Sequence, residues 1–198
     1  MKKFFLLLFT LVSTISFAQT DVHLSSREKK ELNTFFSNFS EANVESFSSA
    51  TLSDEIMLQF ALRHNYMNKF KSLKKSKDGL SSIISRDLVD MATEKYFGRK
   101  ITFHKSKEYL VPMADGEAYL FSQIRRLIES DGETFKAEGE IFSASSGSTA
   151  DAHGTYRDWK KAGEEVERIG KFEAIIKRSA KDKDRYVLLQ YHISSGNP

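Results

Sequence analysis

Residues 118–142 read AYLFSQIRRLIESDGETFKAEGEIF, and this stretch decides the fold. Asp131-Gly132 is the strongest hairpin signal in the chain, a residue pair favoured in the turn between two antiparallel strands. The flanking segments 118–129 and 134–142 carry the apolar residues of strands with one buried face. Glu138 and Glu140 are two apart and therefore point to the same side, towards Arg125 or its neighbours across the turn. Surface ion pairing between strands accounts for them. A catalytic carboxylate pair for glycoside hydrolysis is the alternative.

The same period of two continues downstream, where 172–179 and 185–193 form a second hairpin around 181–184. Upstream, 100–104 and 109–112 are expected as short strands. Before Gly98 the period is that of a helix. Ser25-Ser26-Arg27-Glu28 has capping-box spacing, and Leu32, Phe35, Phe36 and Phe39 follow as an apolar stripe. A second box at 51–54 opens a helix through Ile56, Phe60, Met67 and Phe70, with His64 on or beside its stripe. Residues 69–79 read as an exposed basic connection. Ile83 and Ile84 lead into a third helix over 85–97, with Leu88, Met91 and Ala92 inward and Gly98 as its C′ residue.

Helices over 25–97 and strands over 100–194 give the α+β class. The N-terminal helices pack on one face of a mostly antiparallel sheet of five or six strands. Residues 19–198 suit a single domain. Three helices followed by strands is also similar to the element order of winged helix-turn-helix proteins, a likeness of order alone.

The first eighteen residues read as an export signal. Lys2 and Lys3 precede an apolar run that opens at Phe4, and Ser16-Phe17-Ala18 offers small residues to a signal peptidase. The run is too short to span a bilayer, which takes about 20 apolar residues, so no stable membrane anchor is expected. Without Lys2 and Lys3 the 30 basic side chains fall to 28, against 27 acidic. Nucleic-acid binding usually takes a concentrated basic face, so a nearly balanced chain with an export signal gives little support for that role. There is no cysteine, and hence no disulfide, lipid-modified cysteine, thiolate metal site or thiol nucleophile.

Two places could carry chemistry. The loop 143–154 gathers hydroxyls, glycines, Asp151 and His153. The carboxylate could orient the imidazole for general-base work on a nearby serine, or both could bind a metal. No GxSxG elbow supports a serine nucleophile, and a flexible connection has the same composition. His64, Tyr66 and Asn68 form the second cluster, with His64 and Asn68 on one helix face. No HExxH motif accompanies them. Tyr156 and Trp159, three apart on a short helical turn, either present a stacking face to a sugar or protein or close the end of a core.

The pattern predicts an exported, periplasmic or secreted, non-catalytic module that binds an envelope protein or glycan, with no cofactor and no metal. Its candidate contacts are His64, Tyr66, Asn68, Asp151, His153, Tyr156 and Trp159. The alternatives are a small periplasmic hydrolase built on Asp151 and His153, and an envelope inhibitor or immunity protein.

Overall fold

A computed structural model describes residues 20–113 and 118–195, and the export signal expected at 1–18 lies outside them. The elements run β1 (Thr20–Asp21), α1 (Ser26–Glu41), α2 (Asp54–Lys69), β2 (Lys74–Lys75), β3 (Ser81–Ser85), α3 (Arg86–Phe97) and β4 (Glu108–Pro112). They continue as β5 (Tyr119–Glu129), β6 (Thr134–Ala144), α4 (Tyr156–Ala162), β7 (Val166–Arg178) and β8 (Tyr186–Ser195). An antiparallel five-stranded sheet in the order β1-β5-β6-β7-β8 carries α1 and its neighbours on one face, the α+β arrangement the sequence predicts. Among the described residues no helix is long and apolar enough to cross a membrane.

Helix α1 holds the two layers together with adjacent stripes. The capping box forms as predicted: the Glu28 N–H donates to Ser25 Oγ, and the Ser25 N–H donates to Glu28 Oε2 at 2.9 Å. Leu32, Phe36 and Phe39 then point into the core. The Phe36 ring lies 4.5 Å from Phe172 of β7, and Phe39 stacks on Phe60 of α2 at 4.9 Å. One residue further round the helix, about 100° away, Asn33, Ser37 and Ser40 are buried and polar. They face β5. The Ile124 N–H donates to Asn33 Oδ1 at 2.8 Å, and the Ser122 N–H donates to Ser37 Oγ at 2.9 Å. Ser37 Oγ donates back to the Ser122 carbonyl, and the Ser40 and Ser122 hydroxyls pair.

These bonds are needed because β1 covers only the far end of β5, opposite Ile128 and Glu129. A bulge at Arg125 reverses which residues turn their backbone outwards. Beyond it the Leu127 carbonyl accepts from Val22, and before it Ser122 and Ile124 meet α1. A second close approach fixes β6. A Cβ at Gly139 would lie 2.3 Å from the Phe172 ring and 2.5 Å from the Gln123 carbonyl, so only hydrogen fits beneath that ring.

Several expectations need correction. Ile83 and Ile84 do lead straight into α3, whose N-cap is Ser85, but they do so as part of β3, the centre of a separate antiparallel sheet β2-β3-β4 that was not among the expected elements. Residues 100–104 form no strand, because the backbone N–H groups of Thr102 and Phe103 donate to Asp54 Oδ2 at the start of α2. The N-cap of α2 is Ser53, which accepts from the Ile56 N–H, while Thr51 bonds back to Ser48. Its buried face is Met57, Phe60, Ala61 and Asn65, leaving Met67 and Phe70 partly exposed. In α3 the buried face is Val89, Ala92, Thr93, Tyr96 and Phe97, with Met91 outside. The aromatic pair Tyr96-Phe97 sets that rotation by joining Phe39 and Phe60.

Replacing Asn33 with alanine strands the buried Ile124 N–H. The expected loss is about 1–3 kcal/mol in urea unfolding, whereas Thr34→Ala, one position away and exposed, is expected within about 0.5 kcal/mol of the parent.

Candidate functional site

The loop after β6 lies on the sheet face opposite the helices. Register places Phe121, Gln123, Glu140 and Phe142 on that face, since their neighbours Ile124, Gly139 and Ile141 face α1. Glu140 there accepts from Arg125 and Arg168. Burial raises its carboxyl, but these bonds outweigh it and hold it below the ordinary range. Glu138 pairs with Lys136. Both carboxylates thus serve ion pairing, Glu140 across to β5 and β7 and Glu138 with a lysine of its own strand.

The loop is tied down at several points, unlike a flexible connection. Gln123 Nε2 donates to the carbonyls of Ala152 and Gly154, both at 2.8 Å. Ser148 and Thr149 donate to Glu164, whose carboxyl is lowered by those bonds. The Trp159 indole N–H donates to the Asp151 carbonyl at 2.7 Å. Trp159 is only 3% exposed and closes a second small core with Phe121 and Phe142. It therefore shares no solvent face with Tyr156, which is 68% exposed. Asp151 Oδ1 accepts from the His153 backbone N–H rather than its ring. The His153 Nδ1 is buried with no partner among the described residues. Carboxylate, imidazole and serine hydroxyl do not form a relay.

The α2 cluster is only half assembled. His64 stacks on Phe60 at 5.4 Å and meets the Tyr96 ring edge-on at 4.8 Å. Asn68 Nδ2 lies 3.2 Å from its Nδ1 and donates to its carbonyl. Burial, with Lys95 and Lys69 adding to it, pushes the imidazole down to about 4. Tyr66 is turned elsewhere, against Phe70. Asn65 is the buried polar residue here: its Nδ2 donates to the carbonyls of Ala61 and Leu88, locking α2 to α3.

Behind His64, the Tyr96 ring forms part of a cleft of about 810 Å³ between α1, the end of α3 and the β7–β8 turn. Phe35, stacked on Tyr96 at 6.0 Å, and Tyr186 complete an aromatic floor. The rim carries Arg27, Lys95, Arg178 and Arg185 against Glu28, Glu31, Asp182 and Asp184. Arg27 pairs with Glu31, and Arg185 with Asp182. The Arg178 guanidinium sits 4.9 Å over Tyr186 and donates to the Lys183 carbonyl. Burial pushes the Tyr96 phenol up to about 12 and lowers the Lys95 ammonium. None of the cleft residues was predicted as a site. They come from three distant segments, and no local spacing marks them.

Among the described residues no three His, Asp or Glu side chains are placed to hold a metal ion. In comparisons with known proteins, no family model, curated protein or solved structure matches the chain.

Two groups give the fold a pH signature of opposite sign. His64 falls from an ordinary 6.5 to about 4, so the fold favours its neutral form and loses that stability as pH falls through this window. Burial raises Glu41, the last residue of α1, from 4.5 to about 7. Its position at the negative end of the helix dipole acts in the same direction. The fold favours the protonated form of Glu41, and the associated stability is lost as pH rises towards 7. The two effects oppose each other between 4.5 and 6.5. Glu41→Gln is expected to expose the histidine effect. Its melting temperature should fall more steeply between pH 6.5 and 4 than that of the double variant with His64→Phe. Parallel curves would contradict the assignment.

Proposed function

We propose that this chain is an exported, non-catalytic binding module of the cell envelope, and that its ligand is a neutral, hydroxyl-rich glycan held between α1, α3 and the β7–β8 turn. The observation that carries this reading is the cleft, with an aromatic floor beneath a rim of four cationic and four anionic side chains. Its volume lies in the range of small-molecule sites, about 300–1,000 Å³. Half-buried Phe35 and Tyr186 offer apolar area to the C–H faces of a sugar ring. Guanidinium groups donate and carboxylates accept, and a sugar hydroxyl does both, so paired charges at the rim can be bridged without an excess of either sign. A strongly anionic or cationic ligand would meet like charges on half the rim. The N-terminal run of Lys2, Lys3 and the apolar residues from Phe4, read as an export signal, supports the envelope as the compartment.

Thr34 lines this cleft from the exposed side of α1. Thr34→Trp should fill it without touching the core. Calorimetric titration with soluble oligosaccharides released from the envelope should show saturable binding to the parent chain and at least about tenfold weaker binding to the variant, a difference of about 1.4 kcal/mol. The melting temperature should be unchanged. Absence of binding to the parent, or equal binding by both, would remove the glycan reading.

A further inference from the structure

The small sheet β2-β3-β4 presents a surface that the fold leaves uncovered. Leu80 at the β2–β3 turn is 68% exposed, Leu110 of β4 64%, and Met113 just beyond β4 41%. They are neighbours. The Met113 N–H donates to the Leu80 carbonyl at 3.0 Å, and register sets Lys74, Ile83 and Leu110 in one row across the three strands. Ser82 and Ile84 point inwards and are fully buried, so Lys74, Ile83 and Leu110 share the outward side.

This apolar row is flanked by a dense basic run. From Lys69 to Arg86 there are six basic side chains and one acid, Asp78. The remainder of the chain from Gln19 holds 22 basic against 26 acidic residues, so the segment is a positive pole on a negative body. The Asp78 carboxylate is engaged within the turn, accepting from Ser76 Oγ and the Leu80 N–H. Lys71, Lys74 and Lys77 are exposed and pair with no described carboxylate. Lys75 lies 3.5 Å over the Phe70 ring and donates to Ser82 Oγ.

We propose that this face docks on the surface of an anionic lipid bilayer, with Leu80, Leu110 and Met113 entering the headgroup boundary and Lys71, Lys74 and Lys77 reaching lipid phosphates. Protein–protein interfaces are depleted in lysine and enriched in arginine and aromatic residues, whereas lysines flanking an apolar edge suit a bilayer. Their stems lie along the apolar surface while the ammonium groups meet anionic headgroups. The contact is reversible and peripheral, and it shares no residue with the aromatic cleft.

The test is co-sedimentation of the protein, purified from its own cells, with phosphatidylglycerol–phosphatidylcholine vesicles and with phosphatidylcholine vesicles alone. Preferential binding to the anionic vesicles is expected, falling at least about tenfold in Lys74→Glu/Lys77→Glu and again in Leu80→Asp/Leu110→Asp. All four positions are exposed, and unchanged melting curves would show that the variants fold. No preference for anionic vesicles, or equal binding by the parent and both variants, overturns the proposal. A loss confined to the lysine variant also overturns it, because a diffuse electrostatic attraction then suffices without the apolar face.

Discussion

On its side away from β6, the backbone of β5 between Ser122 and Ile124 has no strand beside it, and the side chains of α1 stand in for one. This substitution is the constraint on which the rest of the structure depends. A buried backbone N–H without a partner costs about 1–3 kcal/mol, while a whole domain is stable by only about 5–15 kcal/mol. Satisfying Ser122 and Ile124 through Ser37 and Asn33 therefore restricts α1 to one rotation and one height on the sheet. With Asn33, Ser37 and Ser40 turned to β5, Leu32, Phe36 and Phe39 must enter the core. Phe35 is left where it meets Tyr96. The floor of the proposed binding cleft is thus a consequence of how the edge of β5 is closed.

The layers behind this arrangement have distinct chemistry. On the helix side, aromatic rings from α1, α2, α3, β7 and β8 form one continuous cluster through Phe39, Phe60, Tyr96 and Tyr191. On the other side, the sheet is a grid of ion pairs around Lys136 and Glu140, until Phe121 and Phe142 create an apolar end. The loop and α4 cover that end through Trp159. Residues that looked chemically active in isolation are absorbed by these structural tasks. Ser148 and Thr149 bind Glu164, Asp151 holds a turn, and His64 packs between rings. The surfaces that remain for the proposed roles are those the packing leaves open.

Much of this architecture was legible in the chain. The Asp131-Gly132 turn, the capping box at Ser25 and the stripe from Leu32 to Phe39 were readable because each is a local pattern with a local physical cause. The second sheet was not, because Ser81-Ser82-Ile83-Ile84-Ser85 lacks an apolar–polar alternation and depends on pairing with residues 108–112. Residues 100–104 had strand-like composition, but their backbone donors are taken by Asp54, 48 positions from Thr102. The sites were less readable than the fold. His64 and Asn68 do meet, as helical spacing requires, yet Tyr66 faces away. Trp159 resolved to core because Gln123 and the loop bury it. The cleft joins positions 27 to 186, and no spacing within a single segment could have announced it.

The most direct measurement of the central constraint is native-state hydrogen exchange at the Ser122 and Ile124 amides. If α1 side chains close the edge of β5, both amides exchange only on global unfolding, with the same free energy as the amides shared between β6 and β7. Exchange of either amide at the rate of a solvent-exposed strand edge, while the β6–β7 ladder stays protected, would contradict the account.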